Sequence, residues 1–290
     1  MYFLLTIFTP TYNRADLLCR LFKSLQLQTL KKFEWLIVDD GSTDNTKVVV
    51  EKMMKDSAFP IRYEYQENGG KHRAINRGVS IARGNWFFIV DNDDFLPRNS
   101  IELIVKWINT VDDNQHFAGV AGMKTDKNGS NIGGTLCKDF IDQYPFKIDF
   151  RGDLAEVWRT SILKEYPFPD YEGEKYCAEC LVWFRIGQKY KVRYFAETIY
   201  YYEYQLDGLS FLSVINRRLS PTYTALTNIE TMNFSCPFRR RLRAAINFWR
   251  FIWFKKWDWE CFDRLPIWAF LCLPLGAFFL IIDTVKLRRC

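Results

Sequence analysis

The chain has 290 residues, 48% of them hydrophobic and 17% aromatic, which excludes a disordered polymer and leaves room for a large core with an appendage. Its formal net charge is +6, and the basic residues gather among aromatics toward the C-terminal end. That pattern fits an anionic membrane surface and argues against nucleic acid as the partner. Eight cysteines are scattered along the chain. Cys177 and Cys180 form the one close pair, with no histidine cluster to complete a zinc site, so reduced thiols are expected.

Residues 1–8 are apolar without a basic leader and read as a strand, not a signal segment, and Tyr2 to Phe8 is the first expected strand. Leu17, Leu18, Leu21, Phe22 and Leu25 recur at helical spacing. Phe33 to Val38 is the second strand, and Thr43 to Met54 a helix for which Ser42 or Thr43 can serve as cap. Ile61 to Tyr65, then His72 to Arg83, then Trp86 to Val90 continue the alternation as strand, helix and strand. Ile101, Ile104, Val105 and Ile108 mark a further helix, and Phe117 to Ala121 a further strand. Residues 124–150 read as a long loop or short meander. Ala155 to Arg159 returns to the sheet, Glu179 to Ile186 is helical, and Val192 to Phe195 and Ile199 to Glu203 are short strands.

Such alternation predicts an α/β fold whose mainly parallel sheet carries helices on both faces. Ligands of such sheets bind beyond the carboxyl ends of the strands. Four polar segments leave strand ends here: Thr9 to Asn13, Asp39 to Ser42, Glu67 to Gly70 and Asp91 to Asp94. The last follows the apolar run Trp86 to Val90, and carboxylates at the end of a buried strand are costly unless a cation meets them. The Asp-x-Asp spacing of Asp91 and Asp93 suits a hard divalent ion that bridges protein and phosphate oxygens; an acidic solvated turn is the alternative. A dinucleotide G-x-G-x-x-G and a G-x-S-x-G elbow are absent. Gly70-Lys71 is not a P-loop either, because Tyr65 stands at its first glycine and His72 at its Ser/Thr.

Thr9-Pro10-Thr11-Tyr12-Asn13-Arg14, Val38-Asp39-Asp40-Gly41-Ser42-Thr43-Asp44, Asn68-Gly69-Gly70-Lys71-His72 and Asp91-Asn92-Asp93-Asp94 together resemble glycosyltransferase family 2. The likeness covers roughly the first 125 residues, and Gly173-Glu174-Lys175 through Glu179 and Trp183 extends it. It implies a GT-A fold and inverting transfer of a sugar from a nucleotide-sugar donor, a UDP-sugar above all. By position, Asp40 is implied to accept a hydrogen bond from the nucleobase, and Thr9 and Pro10 to line the base pocket beside Tyr12. Asp91 and Asn92 fall near the ribose and diphosphate, and Lys71 approaches the base or diphosphate. Asp93 is implied to bind Mg²⁺ or Mn²⁺, while Asp94 shapes the turn. Gly69 and Gly70 allow close approach to the donor. Glu179 is the implied general base and Glu174 its rival. The family's Glu-Asp pair is here Glu179-Cys180, a looser match. Asp153 is placed to face the acceptor.

Beyond about residue 216 the composition changes. Pro266 to Ile282 is almost wholly apolar, near the lower length limit for a span, and Pro274 and Gly276 point to a kinked, re-entrant or interfacial helix. Arg239 to Arg241, Lys286, Arg288 and Arg289 flank it with positive charge. Phe248, Trp249, Phe251, Trp253, Phe254, Trp257 and Trp259 resemble an interfacial aromatic belt. The expected organisation is a GT-A catalytic unit, 1–215, with a nucleotide-sugar half 1–123 and an acceptor half 124–215, followed by a helical membrane-associating region, 216–290. The expected place is the cytoplasmic face of a bacterial inner membrane, peripheral or monotopic, with a saccharide or polyprenyl-diphosphate-linked acceptor. A soluble core helix at 266–282, a non-catalytic nucleotide-sugar-binding scaffold subunit and a nucleotidyltransferase are the alternatives.

Overall fold

The computed structural model describes residues 3–130, 134, 136, 138–148, 150, 152–203, 212–255 and 260–287. Tyr2, Trp257, Trp259, Arg288 and Arg289, named above, lie outside the described residues. The first half runs β1 (Phe3–Thr11), α1 (Ala15–Gln26), β2 (Phe33–Asp39), α2 (Thr46–Asp56), β3 (Ile61–Tyr65), α3 (Lys71–Ile81), β4 (Gly84–Ile89) and α4 (Ser100–Asn109). The second continues with β5 (Phe117–Thr125), β6 (Phe140–Gln143), β7 (Leu154–Arg159), α5 (Thr160–Glu165), α6 (Cys180–Gly187) and β8 (Lys191–Tyr201). The C-terminal helices are α7 (Ser213–Leu219), α8 (Pro221–Asn233), α9 (Phe238–Phe251), α10 (Glu260–Asp263) and α11 (Leu273–Leu287).

The strands form one sheet in the order β3-β2-β1-β4-β7-β5-β8-β6. β3, β2, β1 and β4 are mutually parallel, so their carboxyl ends share one edge. β7 is antiparallel to both β4 and β5, and β8 runs parallel to β5. Side chains of successive strand residues point to opposite faces. Leu5, Ile7, Trp35, Ile37, Trp86 and Phe88 accordingly pack on one face, and Phe8, Leu36, Val38 and Phe87 on the other. Both faces are dry, which is why these strands read as continuous apolar runs. Each fully buried Phe or Trp contributes roughly 2–3 kcal/mol.

Several expectations are corrected. α2 begins at Thr46, and its first turn is held by Asp44, not Ser42 or Thr43: Asp44 Oδ1 accepts from the Thr46 amide at 3.0 Å. The two short strands expected after residue 192 are the single strand β8, whose register against β5 shifts at three points. β6 and α5 were not anticipated; a four-residue edge strand and a six-residue helix carry too little periodicity to show.

The C-terminal helices build a separate core in which Ile229, Met232, Ala245, Phe248, Trp249 and Cys272 meet. Phe248, Trp249 and Phe251 are therefore core residues and not a membrane belt, whereas Trp253 and Phe254 are exposed. Pro274 does not kink the apolar segment. It lies in the first turn of α11, after a 3₁₀ stretch Ile267–Cys272, where no helical partner for its missing N–H is needed. Gly276 lets α11 approach α9, since a Cβ there would meet Trp249 Cβ at 2.4 Å. Arg250 of α9 closes the pair with two bonds of 2.6 Å to Asp283. By length and composition Ile267–Lys286 is apolar enough to cross a membrane. Its outer face is bare, with Ile267 87% and Leu271 82% exposed.

Candidate active site

A cavity of about 700 Å³ opens at the carboxyl edge of the parallel strands, within the size range of small-molecule sites. Pro10, Thr11 and Tyr12 enter it from β1, Asp40 from β2, Gly70 and Lys71 from the start of α3, and Asp91 to Asp94 from β4. Asp153 and Lys124 close it from the second half of the sheet, and Lys175, Tyr176, Asn216 and Ser220 from the loops and helices beyond.

Much of the motif chemistry holds these loops to one another. Asn13, in the left-handed region at φ 52°, receives a bond from Thr43 and gives its own amide to Ser42 Oγ, each at 2.8 Å. Asp39 accepts from the Ser42 amide at 2.8 Å and from the Tyr63 hydroxyl at 2.6 Å. Asp40, expected to read the base, already accepts four bonds, from Gln66, Asn68 and the Gly69 and Gly70 amides, at 2.6 to 3.2 Å. A carboxylate has about four acceptor positions, so the first task of Asp40 is to fix the 66–70 loop against the cavity.

Three further assignments change. Thr9 does not line the base pocket. Strand alternation turns it into the core, fully buried, where its Oγ1 accepts from Trp35 Nε1 at 2.9 Å. Gly69 makes room for protein, since a Cβ there would meet Arg73 Cδ at 2.7 Å; Gly70, at φ +98°, lines the cavity and also lets the Lys175 carbonyl oxygen approach, which a Cβ would meet at 2.0 Å. Glu174, the rival base, is committed to capping α8, accepting from the Thr222 and Tyr223 amides at 2.8 and 3.0 Å.

The acidic turn is a graded set. Asp94 is buried, accepts from the Tyr200 hydroxyl at 2.7 Å and from the Glu203 amide at 3.0 Å, and shapes the turn as expected. Burial, with Asp91 and Asp93 beside it, pushes Asp94 up to about 8. Asn92 donates to Thr11 Oγ1 at 3.1 Å. Arg20 of α1 grips the Asp93 backbone carbonyl and the Glu203 carboxylate, which fixes the turn from below. Burial and the neighbouring Asp91 charge hold Asp93 above the usual carboxylate range. Burial would raise Asp91 too, but Lys71 and Lys124 hold it below that range.

Asp93 thus presents a crowded, under-neutralised carboxylate to the cavity beside a second one, a hard-oxygen set that fits Mg²⁺ or Mn²⁺. Among the described residues no group of three or more His, Cys, Asp or Glu could hold a metal ion by itself. Such an ion therefore needs ligand phosphate oxygens and water to complete its shell, which is how Mg²⁺ is commonly held.

Glu179 stands just before α6, its carbonyl accepting from Val182 and Trp183. Its carboxylate receives Lys71 Nζ at 2.7 Å, and the same ammonium lies 2.6 Å from Asp91 Oδ1. Burial would lower Lys71, but the two carboxylates outweigh it and raise the ammonium above its ordinary value. Glu179 does not line the large cavity but a narrow one behind it, with Lys71, Lys124, Glu156, Trp158 and Trp183.

Residues without a sequence signal complete the site. Lys124 ends β5 with its ammonium 4.3 Å from the Tyr200 ring. Burial pushes Glu156 up to about 8, with Lys124 opposing and Glu179 adding to it. Arg73 clamps the 66–70 loop to the 170–175 segment through Gly69, Asp170, Tyr171 and Glu174. His72 is a core histidine, 2.8 Å from the Tyr223 hydroxyl, with burial lowering it to about 4. Burial also pushes up the thiols of Cys177 and of Cys180, the latter to about 11, and both are free.

The sequence pattern of glycosyl transferase family 2 matches residues 6–153, the span that carries every strand of the parallel edge. Glycosyltransferase GlyG of Streptococcus pneumoniae is 36% identical over 38% of this chain and 36% of its own. The GalNAc(5)-diNAcBac-PP-undecaprenol beta-1,3-glucosyltransferase of Campylobacter jejuni is 30% identical over 62% of this chain and 58% of its own. The chain thus spans about a third of the length of GlyG and under two thirds of the Campylobacter enzyme. TarS 1-349 of S. aureus, solved in complex with UDP-GlcNAc, superposes with a TM-score of 0.60 at 16% identity, covering 99% of this chain and 92% of that one. That likeness, with the mainly parallel sheet described above, gives this chain the GT-A fold. By the matched half of its length and by that fold, the chain belongs to glycosyl transferase family 2.

Proposed function

We propose that the chain is an inverting, metal-dependent glycosyltransferase that moves a sugar from a UDP-sugar to a saccharide acceptor carried on a membrane lipid. The observation that carries this reading is the pair Asp91 and Asp93 on one cavity with Pro10, Tyr12 and the Asp40-fixed loop. Pro10 and Tyr12 wall the nucleobase, and Asp91 and Asn92 face the ribose and diphosphate. Asp93 would hold Mg²⁺ or Mn²⁺, which when bound offsets charge on the departing diphosphate. Asp153 faces the acceptor.

The acceptor hydroxyl attacks the anomeric carbon on the face opposite the diphosphate. A carbon–oxygen bond forms there as the bond to the diphosphate oxygen breaks, its electron pair leaving with the nucleotide, so the configuration inverts. Glu179 takes the hydroxyl proton. The ammonium groups of Lys71 and Lys124 lie where negative charge grows. One observation favours a second reading, a non-catalytic nucleotide-sugar-binding scaffold: Glu179 is ion-paired outside the large cavity. A panel of nucleotide sugars, each with Mn²⁺ and a bacterial lipid extract, separates the two. Incorporation of label from one donor into lipid is expected, and binding without incorporation from any donor leaves the scaffold.

The Campylobacter relative's name includes an undecaprenol-linked acceptor, which supports the lipid-linked class here. Residues 1–215 would be the catalytic unit, with 1–123 for the donor and 124–215 for the acceptor. Residues 216–290 would hold it on the cytoplasmic face of a bacterial inner membrane. The support is the bare apolar face of 267–286 with exposed Arg239, Arg243 and Lys286. Arg240 and Arg241 contribute less to that rim, because they bond the carbonyls of Phe146, Ile148 and Met232. Replacing Ile267, Leu271 and Ile281 together by Glu is expected to cut binding to anionic phospholipid vesicles at least about tenfold with an unchanged melting temperature. Unchanged vesicle binding would remove the membrane from the account.

A further inference from the structure

Glu179 and the substrate cavity are separated by the three residues that line both spaces, Lys71, Asp91 and Lys124, and of these Lys71 and Glu179 form a direct ion pair. Lys71 lines both the large cavity and the narrow one behind it, while Glu179 lines only the narrow one. The Lys71 ammonium bridges Asp91 Oδ1 at 2.6 Å and Glu179 Oε1 at 2.7 Å. As drawn, the proposed base faces a cation and not an acceptor hydroxyl. Resting on the glycosyltransferase reading, we infer that Lys71 is a positioning gate: it holds the half-exposed Glu179 carboxylate in an ion pair while the donor site is empty and is drawn off by the donor's diphosphate.

The backbones on both sides are fixed, so the moving part is the lysine side chain. Glu179 is anchored at the start of α6 by the amides of Val182 and Trp183, at 3.0 and 3.2 Å. Lys71 begins α3, whose first turn is held by the bonds from Arg73 and Ala74 to the Gly70 carbonyl. Four side-chain torsions leave the Lys71 ammonium free to swing several ångströms without disturbing either helix. The pull has a source: a diphosphate against Asp91 and Asp93 arrives within reach of Lys71 and offers several charged oxygens in exchange for the single Glu179 contact.

The charges around the gate leave Asp91 with a cation after release. Asp91, Asp153, Glu156 and Glu179 surround Lys71 and Lys124, and Lys124 remains beside Asp91 when Lys71 leaves it. Glu179 then loses its cation against the stacked rings of Trp158 and Trp183, 4.7 Å apart, and turns to the cavity as the nearest polar surface. The consequence is order: donor binds first, and the base is free of its cation only when a leaving group is in place.

Carbodiimide labelling with glycine ethyl ester, read at Glu179 by peptide mass spectrometry, tests the gate. In the wild-type protein, saturating UDP with Mn²⁺ is expected to speed labelling of Glu179 severalfold, against any shielding by the nucleotide itself. Glu174, committed to α8, should not change. Lys71→Met should label fast without UDP and show no response to it, and Lys71→Arg, which keeps the cation, should stay protected. Equal labelling of wild type with and without UDP, at a concentration that calorimetry shows to saturate, overturns the gate. Protection of Glu179 in Lys71→Met does so as well. If Lys71→Met has no melting transition, the wild-type comparison decides alone. If calorimetry shows no UDP binding, the nucleotide-sugar reading fails first and the gate with it.

Discussion

Glu179→Gln is expected to lower kcat by about 10²–10⁴ while leaving UDP affinity close to wild type. The amide keeps the shape of the side chain and removes the proton acceptor. The loss should fall on kcat, because Glu179 lies outside the large cavity and is ion-paired to Lys71, which lines it. Steady-state kinetics beside UDP calorimetry reads both quantities. Transfer retained in this variant would move the base role to Asp153, a carboxylate that lines the cavity from the second half of the sheet.

Asp93→Asn is expected to abolish the Mn²⁺-dependent part of UDP binding, a loss of roughly 30- to 100-fold in affinity, or about 2–3 kcal/mol. Its backbone carbonyl would still meet Arg20, so the turn should keep its place. Stability should hold or rise. Burial and Asp91 raise the folded pKa of Asp93 above its unfolded value, so its ionisation costs the folded state stability at neutral pH, and the amide removes that cost. Calorimetry with UDP, with and without Mn²⁺, and a thermal melt check the two parts. Equal Mn²⁺-dependent affinity in the variant would take the metal away from Asp93.

The parallel half of the fold was legible because β1, β2 and β4 are buried on both faces and β3 and the helices between them are strongly patterned. The edge that carries the large cavity followed from that order alone. Roles within the edge were harder, since a motif residue can serve the loop instead of the ligand. Asp40 and Asn13 do so through bonds to loops about 30 residues away. Thr9 was legible in principle: it shares the parity of Leu5 and Ile7, and strand alternation sends it to the core. Glu174 was not, because its partners lie on α8, 48 and 49 residues on, and no local pattern announces that contact. Lys124, Glu156 and Arg73 were invisible for the same reason. The aromatic C-terminal stretch misled in part, since composition cannot separate Phe248 and Trp249, which build a core, from Trp253 and Phe254, which face outward.

The most direct test of the account follows nucleotide and sugar together. Wild-type protein, Mn²⁺, a labelled UDP-sugar and lipid-linked acceptor should yield UDP and glycosylated lipid in equal amounts, with the anomeric configuration of the donor inverted in the product. Asp93→Asn and Glu179→Gln should each suppress both products. Pyrophosphate released from a nucleoside triphosphate, or a UDP-sugar bound and never consumed, would contradict it.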